Sequence, residues 1–192
     1  MNLFCEKFPE VISVDSADYP ILTDFRVWAQ VEQLLYKGLD SLEAVVSLYK
    51  LVFPQGSRVP QNIGDTVSKI IAFYACGETA SKKGGKGSSG KRRVVSYLED
   101  SGMIYAAFLA QYRIDLTESS VHWWKFRTLF DGLWETHQIS KVIGYRSADV
   151  AKIKDKEQRK FYKDMQERFR LPDIRSREEI ERDNIASLEK LF

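Results

Sequence analysis

The feature that most constrains the fold is an apolar repeat of about 3.6 residues, which runs with interruptions from Thr23 to Leu133. A repeat of this period places apolar side chains on one stripe of an α-helix. The first segment shows it with Phe25, Trp28 and Val31, and short polar or Gly/Pro-containing breaks separate it from the next. The repeat therefore predicts a mainly α fold of five or six packed helices.

Capping residues predict where these helices begin and end. Thr23 is expected to cap the first helix, and Ser41 the second, which ends at Pro54. A third helix is expected over 65–76, with Gly77 in the C′ position, where a left-handed backbone is common. The remaining helices are expected after Asp100 or Ser101, over 118–133, and in a short turn or helix over 139–145.

The segment before the first helix has a different period. Val11, Ile12 and Val14 precede a polar turn, and Tyr19, Ile21 and Leu22 follow it. β-Branched residues on both sides of such a turn are typical of a short hairpin. The sequence therefore predicts a small N-terminal β-hairpin over residues 10–22.

Composition limits the class of protein. The 192 residues are 44% hydrophobic and carry a net charge near +2, which argues against a strongly basic nucleic-acid coat and a disordered acidic chain. Apolar runs are far shorter than the roughly 20 residues that cross a bilayer, and the N-terminus lacks a signal-peptide pattern. Cys5 and Cys76 are too few for a disulfide framework and are expected to be buried thiols.

Two segments depart from the helical pattern. Residues 81–93 contain only Ser, Gly, Lys and Arg, six of them basic, and are expected to form a flexible loop rather than a phosphate site. Residues 149–192 are dense in charges and carry narrow apolar stripes. The sequence therefore predicts a helical core domain over 1–148 and a charged amphipathic helical tail over 149–192.

No catalytic pattern is apparent in the sequence. His122 and His137 have no zinc-binding spacing around them, and no phosphate-binding glycine motif or nucleophile motif occurs. Carboxylate pairs such as Glu178-Glu179 lie in the charged tail, where a solvated face explains them. We expect a protein that is not an enzyme and that uses no metal and no cofactor.

Aromatic residues are densest in one predicted helix, the word HWWKF at 122–126. Trp123 and Trp124 are consecutive, so their side chains point about 100° apart on a helix. One is expected to enter the core, and the other to meet a neighbouring helix or a partner protein. Lys125, beside them, is a further candidate for partner contact.

The tail has its own candidate surface. Phe161, Met165 and Phe169 are spaced four residues apart and lie on one helical face. This face is expected to bind a partner protein, as amphipathic helices do. The competing hypothesis is that these side chains dock back onto the Trp123/Trp124 helix and complete the core.

Several words of the sequence resemble a phage family. These words are similar to the bacteriophage gene-product-fifteen family of long-tailed phages and prophages of Gram-positive bacteria. They are YPILTDFRVW (19–28), IAFYACG (71–77), LEDSGMIYAAFLAQYRIDL (98–116), HWWKFRTLFDGL (122–133) and IGYRS (143–147). The resemblance covers roughly residues 8–170. The loop at 81–93 and the final twenty residues lie outside the shared words.

The resemblance implies a tail-assembly chaperone. Its partners would be the tape-measure protein and the major tail (tube) protein, with a companion tail-assembly chaperone as a further candidate, and not a membrane or nucleic acid. It would act in the cytoplasm of the host bacterium and be absent from the mature virion. A structural tail-completion or connector component is the alternative, and a small nucleic-acid-binding factor is a more distant one.

The resemblance also implies fold and interface determinants at the motif positions. These are Asp24, Phe25, Arg26, Trp28, Tyr74, Gly77, Tyr112, Asp115, His122, Phe126, Tyr145 and Arg146.

Overall fold

The computed structural model describes residues 5–77 and 93–174, and in this part of the chain seven helices follow one two-stranded hairpin. The prediction of a mainly α fold with a small N-terminal hairpin is confirmed. The strands are β1 (Val11–Val14) and β2 (Ala17–Pro20). The helices are α1 (Phe25–Lys37), α2 (Leu42–Val52), α3 (Ile63–Tyr74), α4 (Ser101–Tyr112), α5 (Trp123–Asp131), α6 (Gln138–Ser147) and α7 (Lys156–Arg168).

The hairpin is antiparallel and pairs Val14 with Ala17 across a two-residue turn. Asp15 and Ser16 occupy the turn with φ angles of 48° and 62°. Both angles are positive, as the tight turns that match the twist of a hairpin require. Val14 is buried and its neighbours along β1 alternate with it, so one face of the hairpin closes over the core.

The predicted helix starts were right for α2 and wrong for α1. Ser41 caps α2, since its Oγ accepts from the Ala44 N–H at 3.1 Å. The cap of α1 is Asp24 rather than Thr23, because the Asp24 carboxylate accepts from the Arg26 N–H at 2.9 Å. Thr23 instead pairs with the start of α5, since its carbonyl oxygen accepts from the Trp123 N–H at 2.7 Å.

α3 begins and ends two residues earlier than predicted, and its C′ position moves by one residue. Tyr74 is its last helical residue and Ala75 its cap, so Cys76 and not Gly77 takes the C′ position, with a φ of 56°. Gly77 follows with a φ of 74°. The Cys76 N–H donates to the Phe73 carbonyl and the Gly77 N–H to the Ala72 carbonyl, both at 2.9 Å. This pair of bonds is the Schellman motif.

The start of α5 lies further along the chain than predicted. The helix begins at Trp123 and not near Glu118, because the residues before it pair with the start of α1. The Phe25 N–H donates to the Val121 carbonyl at 2.9 Å, and Asp24 forms an antiparallel bridge with His122. Val121 and His122 thus pair with the start of α1, and residues 116–118 form a turn and not the first turn of a helix.

The core lies between the hairpin and α1 to α6. Its largest fully buried side chains are Trp28, Trp123, Phe108, Phe126, Leu48 and Ile70. α7 packs against α6, and Gln166 is its one buried residue within the described range. None of the described helices combines the length and the apolar character needed to cross a membrane.

Some predictions fall outside the described residues. The loop predicted at 81–93 lies there except for Arg93, and so does the tail beyond residue 174. The burial predicted for the cysteines is wrong for Cys5, which is exposed, while Cys76 is partly buried at the end of α3.

Candidate partner-binding site and the motifs that frame it

Two consecutive tryptophans join the start of α5 to the end of α3. Trp123 Nε1 donates to the Tyr74 carbonyl oxygen, and Trp124 Nε1 donates to the Phe73 carbonyl oxygen, each at 2.9 Å. The last carbonyls of a helix lack partners within the helix. The Trp123 indole supplies a donor to the Tyr74 carbonyl, and the Trp124 indole adds a second donor to the Phe73 carbonyl. The two side chains thus point apart around α5 and still reach neighbouring acceptors on one helix end.

Gly77 is required at this junction for space as well as for backbone angle. A Cβ built on Gly77 would lie 3.3 Å from the Trp124 Cη2 atom. The Trp124 ring also packs against Phe73, with ring centroids 5.4 Å apart. We call Phe73, Tyr74, Gly77, Trp123 and Trp124 the α3–α5 junction.

His122 caps α5 and ties the N-terminal segment to it. Its Nδ1 accepts from the Trp124 N–H at 3.1 Å, and its Nε2 lies 3.0 Å from the Pro9 carbonyl oxygen. An acceptor at Nδ1 and a donor at Nε2 define the neutral ring with its proton on Nε2. Partial burial, with the Phe8 ring stacked at 4.9 Å, lowers the pKa of His122 below its usual 6.5, although the Pro9 carbonyl and Glu10 act in the opposite direction.

Asp24 and Arg26 hold the start of α1 against the loop before α5. Asp24 Oδ2 accepts from the Ser120 Oγ at 2.9 Å and from Arg26 at 3.0 Å. The Arg26 guanidinium also donates to the Leu116 carbonyl at 2.7 Å and to the Ser119 carbonyl at 3.1 Å. Both residues therefore connect the start of α1 to the loop before α5.

Arg146 and Asp100 form a buried ion pair across α6 and α4. Arg146 donates to the two carboxylate oxygens of Asp100 at 2.7 and 2.9 Å, and both side chains are almost fully buried. The Ser96 N–H donates to the same carboxylate at 3.0 Å. The Arg146 Nε donates to the Phe169 carbonyl at 2.6 Å. The IGYRS word thus fixes the end of α7 as well as the start of α4.

The other motif positions lie in or beside the core. Phe25 stacks on Phe126 with ring centroids 4.8 Å apart, and the Trp28 Nε1 donates to the Leu22 carbonyl at 2.8 Å. Two further positions act through polar atoms. The Tyr112 hydroxyl donates to the Leu129 carbonyl at 2.9 Å, and Asp115 accepts from the Thr117 N–H and hydroxyl at 2.8 and 2.6 Å, which lowers its pKa.

A second buried ion pair was not foreseen from the sequence. Arg93, which the sequence places in the flexible basic loop, forms a bidentate pair with Glu32 at 2.9 Å. Burial raises the pKa of Glu32, and Arg93 partly opposes this rise. Arg93 also lies over the Tyr36 ring at 4.6 Å. Nothing in the local sequence separates this arginine from the five cations before it.

The tail candidates meet α6 and not the tryptophan helix. Tyr145 lies at the centre of a cluster, with its ring centroid 5.8 Å from Phe161, 6.0 Å from Tyr162 and 6.2 Å from Phe169. Met165 is half-buried, and Phe161 is 47% exposed. We call Tyr145, Phe161, Tyr162, Met165 and Phe169 the α6–α7 aromatic surface.

The three candidates on α5 lie in different environments. The side chain of Trp123 is 0% exposed, so it presents no surface to a partner. Trp124 is partly buried against α3, and Lys125 is exposed. The tryptophan most available to a partner is one that the sequence did not single out: Trp134, in the connection after α5, is 63% exposed.

In residues 5–77 and 93–174, no group of His, Cys, Asp and Glu side chains has an arrangement that could hold a metal ion. The polar residues of the motifs instead bond to backbone groups or to each other, as described above. Their hydrogen bonds connect elements of the fold to one another.

Comparison with protein families agrees with the resemblance of the sequence words. A family model described as bacteriophage Gp15 protein matches residues 4–171. Searches of curated proteins and of solved structures gave no match. Because the family model spans most of the 192 residues, the chain belongs to the bacteriophage Gp15 family and is a phage structural or assembly-related protein.

Proposed function

We propose that this protein is a tail-assembly chaperone that binds the tape-measure protein and assists polymerisation of the tail tube around it. Membership of a phage family supports a role in virion structure or assembly. The observation that carries the finer proposal is the α6–α7 aromatic surface, where Phe161 is 47% exposed on a helix otherwise rich in charged residues.

An exposed aromatic side chain surrounded by charges suits a reversible protein interface. Aromatic anchors supply much of the binding energy at such interfaces, and a polar rim keeps the free protein soluble. A tape-measure protein exposes apolar helical surface before the tube encloses it. A chaperone that covers this surface must later be displaced by tube subunits, which a small interface allows.

The attachment of α7 to the body is consistent with this role. Gln166 donates to the Tyr145 and Ala148 carbonyls at 2.9 and 2.8 Å, and Arg146 binds the Phe169 carbonyl. These bonds hold α7 in place from one side. Phe161 is left on the side that a partner can reach.

The proposed partners follow from the role. The tape-measure protein is the main one, and the major tail protein and a companion tail-assembly chaperone are the others. The protein would act in the cytoplasm of the host, would leave the tail before completion, and would catalyse no reaction.

The direct test is Phe161→Ser, measured by calorimetric titration with the tape-measure protein of the same phage. Loss of a hot-spot aromatic costs about 2 kcal/mol or more, so we expect affinity to fall at least tenfold. Leu109→Ser is the matched control, since Leu109 is 38% exposed on α4 and lies outside the α6–α7 aromatic surface. Equal binding by the wild type and by Phe161→Ser would contradict the assignment of this surface.

Phe169→Ser is a weaker test because this residue also supports the fold. Its ring stacks on Tyr145 and its carbonyl accepts from Arg146. A loss of binding in this variant counts only when its unfolding midpoint matches that of the wild type.

The second candidate function is a structural tail component, which membership of the family supports as well as an assembly role. The two functions differ in the fate of the protein. Mass spectrometry of purified virions separates them: a chaperone is absent, whereas a tail-completion or connector component is present at a fixed copy number. Presence in the virion would replace our proposal by the structural one.

A further inference from the structure

A groove between α1 and α2 is a second candidate surface. α1 lines it with Gln30, Gln33, Leu34 and Lys37, which recur at the spacing of one helical face. α2 contributes Ser47, Lys50 and Leu51, and Leu98 closes it from the turn before α4. The groove has a volume of about 630 Å³ and is open to solvent along its length.

Its chemistry is apolar and positive. Leu34, Leu51 and Leu98 form the apolar part, and Leu98 is 37% exposed although Tyr97 and Asp100 of the same turn are buried. Lys37 and Lys50 are the charged residues that line it, and no acidic residue does. Neither lysine takes part in an ion pair within the described residues.

The shape favours a helix over a small molecule. Small-molecule sites are usually concave, with a few buried polar groups that converge on the ligand. Here the polar residues are side-chain amides, a hydroxyl and ammonium groups at the rim of an open groove. An amphipathic helix instead places residues at i, i+3, i+4 and i+7 into such a groove, and its flanks meet the rim.

We propose that this groove binds an amphipathic helix whose apolar stripe is flanked by Asp and Glu residues. The three leucines receive the stripe, and the acidic flanks pair with Lys37 and Lys50. Resting on the function proposed above, the inference assigns the helix to the tape-measure protein. The groove and the α6–α7 aromatic surface share no residue, so the chaperone would hold its partner at two points.

The test is charge reversal of the rim in the full-length chain. The double variant Lys37→Glu/Lys50→Glu is compared with Lys7→Glu/Lys69→Glu, which changes the net charge equally at exposed lysines of the N-terminal segment and of α3. The probes are overlapping 25-residue peptides of the tape-measure protein, measured by fluorescence anisotropy. We expect the peptides that bind the wild type to be acidic amphipathic helices, and the groove variant to bind them at least tenfold more weakly at low salt.

A photo-crosslinker in place of Ser47 gives a second measurement that does not depend on charge. Its adducts are expected on the acidic peptides, and a crosslinker in place of Glu135 is expected to give none. Binding that is equal in both double variants, or adducts on basic or unpatterned peptides, would overturn the groove proposal.

The failure of this inference is distinguishable from the failure of the proposed function. Suppose that the full-length tape-measure protein binds the wild type, that Phe161→Ser weakens this binding, and that Lys37→Glu/Lys50→Glu leaves it unchanged. The proposed function is then supported, and the groove assignment is wrong. When the wild type binds neither the full-length protein nor any of its peptides, both fall.

Discussion

The α3–α5 junction and the α6–α7 aromatic surface are equally rich in aromatic residues, but they differ in what their polar atoms do. In the junction, Trp123 and Trp124 donate to two carbonyls at the end of α3. At the α6–α7 aromatic surface, the aromatic rings meet each other, and Phe161 remains 47% exposed. The bonds across that interface come from Gln166 and Arg146.

The difference separates a fold determinant from a candidate interface. An indole that both fills the core and satisfies a buried carbonyl cannot be withdrawn without leaving a cavity and an unpaired acceptor. A partner can cover or release a phenyl ring on a charged helix with little change in the free energy of unfolding. Aromatic density in a sequence does not by itself indicate which of the two is present.

The largest expected effect is that of Trp123→Ala. Truncation of a buried tryptophan costs about 3–5 kcal/mol, and the Tyr74 carbonyl oxygen also loses its indole donor. We expect this variant to be largely unfolded at 37 °C, as measured by urea denaturation followed by circular dichroism.

Trp134→Ala is the matched control for that experiment. Trp134 is 63% exposed and stacks only on the His137 ring, at 6.0 Å between centroids, among the aromatic rings described. Its truncation is expected to change the free energy of unfolding by less than about 1 kcal/mol. Similar losses of stability in Trp123→Ala and Trp134→Ala would contradict the distinction between a buried tryptophan that stabilises the fold and an exposed one that does not.

A slightly smaller effect is expected for Arg146→Met, which tests how α7 is attached. The substitution leaves the buried Asp100 carboxylate without its cation, and such a change costs about 3–5 kcal/mol. The Phe169 carbonyl also loses its donor. Hydrogen exchange should therefore show faster exchange in the α7 amides as well as lower global stability.

Arg170→Met makes the same chemical change at an exposed pair. Arg170 lies 3.9 Å from Glu167, and both side chains are mostly exposed. The expected loss is less than about 1 kcal/mol. A stability of Arg146→Met equal to that of Arg170→Met would show that the buried pair does not hold the fold.

Local patterns in the sequence were sufficient to predict the elements but not their ends. The apolar repeat from Thr23 to Leu133 predicted α1 to α5, and a short turn or helix was expected where α6 lies. The β-branched residues on both sides of the polar turn predicted the hairpin. The start of α5 was misplaced because Thr23 pairs with Trp123 across a hundred residues of chain, and no local signal reports such pairing.

The two buried ion pairs also could not be predicted from local sequence patterns. Asp100 and Arg146 were visible only as a capping candidate and a motif position, because their partnership depends on how α4 and α6 pack. In the sequence, Arg93 is the last cation of the predicted flexible loop, and only the fold places it beside Glu32. Whether Phe161, Met165, Phe169 and Lys125 contact a partner stays a prediction.

An intermediate effect is expected for Gly77→Ala, which tests how closely Gly77 packs against the Trp124 ring in the α3–α5 junction. Gly77 has a φ of 74°, and its added Cβ would lie 3.3 Å from the Trp124 ring. Left-handed backbone costs a residue with a Cβ about 1–2 kcal/mol, to which the displaced ring adds. Thermal unfolding should report this loss.

Gly144→Ala is the control with the opposite expected sign. Gly144 lies inside α6, and nothing is within 4 Å of its added Cβ. Alanine in a helix interior is expected to stabilise the protein by about 0.5–1 kcal/mol. A loss of stability in Gly144→Ala similar to that in Gly77→Ala would mean that neither the backbone angle nor the Trp124 contact accounts for the loss at Gly77.

The smallest expected effect is a pH dependence that arises from His122 at the edge of the junction. The fold holds its ring neutral, because Nδ1 accepts the Trp124 N–H and Nε2 lies against the Pro9 carbonyl, and burial lowers its pKa below 6.5. Well above pH 6.5, the ring is neutral in both the folded and the unfolded chain. As the pH falls below 6.5, the unfolded chain takes up a proton first, so the folded state loses stability. The loss levels off once the pH is below the pKa of the folded state.

His122→Asn isolates this contribution, since asparagine accepts from the first turn of a helix but does not titrate between pH 5 and 8. Urea denaturation of both proteins at pH 7.5 and pH 5.0 removes the effect of every other titrating group by difference. We expect the wild type to lose more stability than His122→Asn between these two values. A wild type that gains stability relative to the variant on acidification would mean that the folded ring is protonated. The Nδ1 cap of Trp124, which joins α5 to the junction, would then be wrongly assigned.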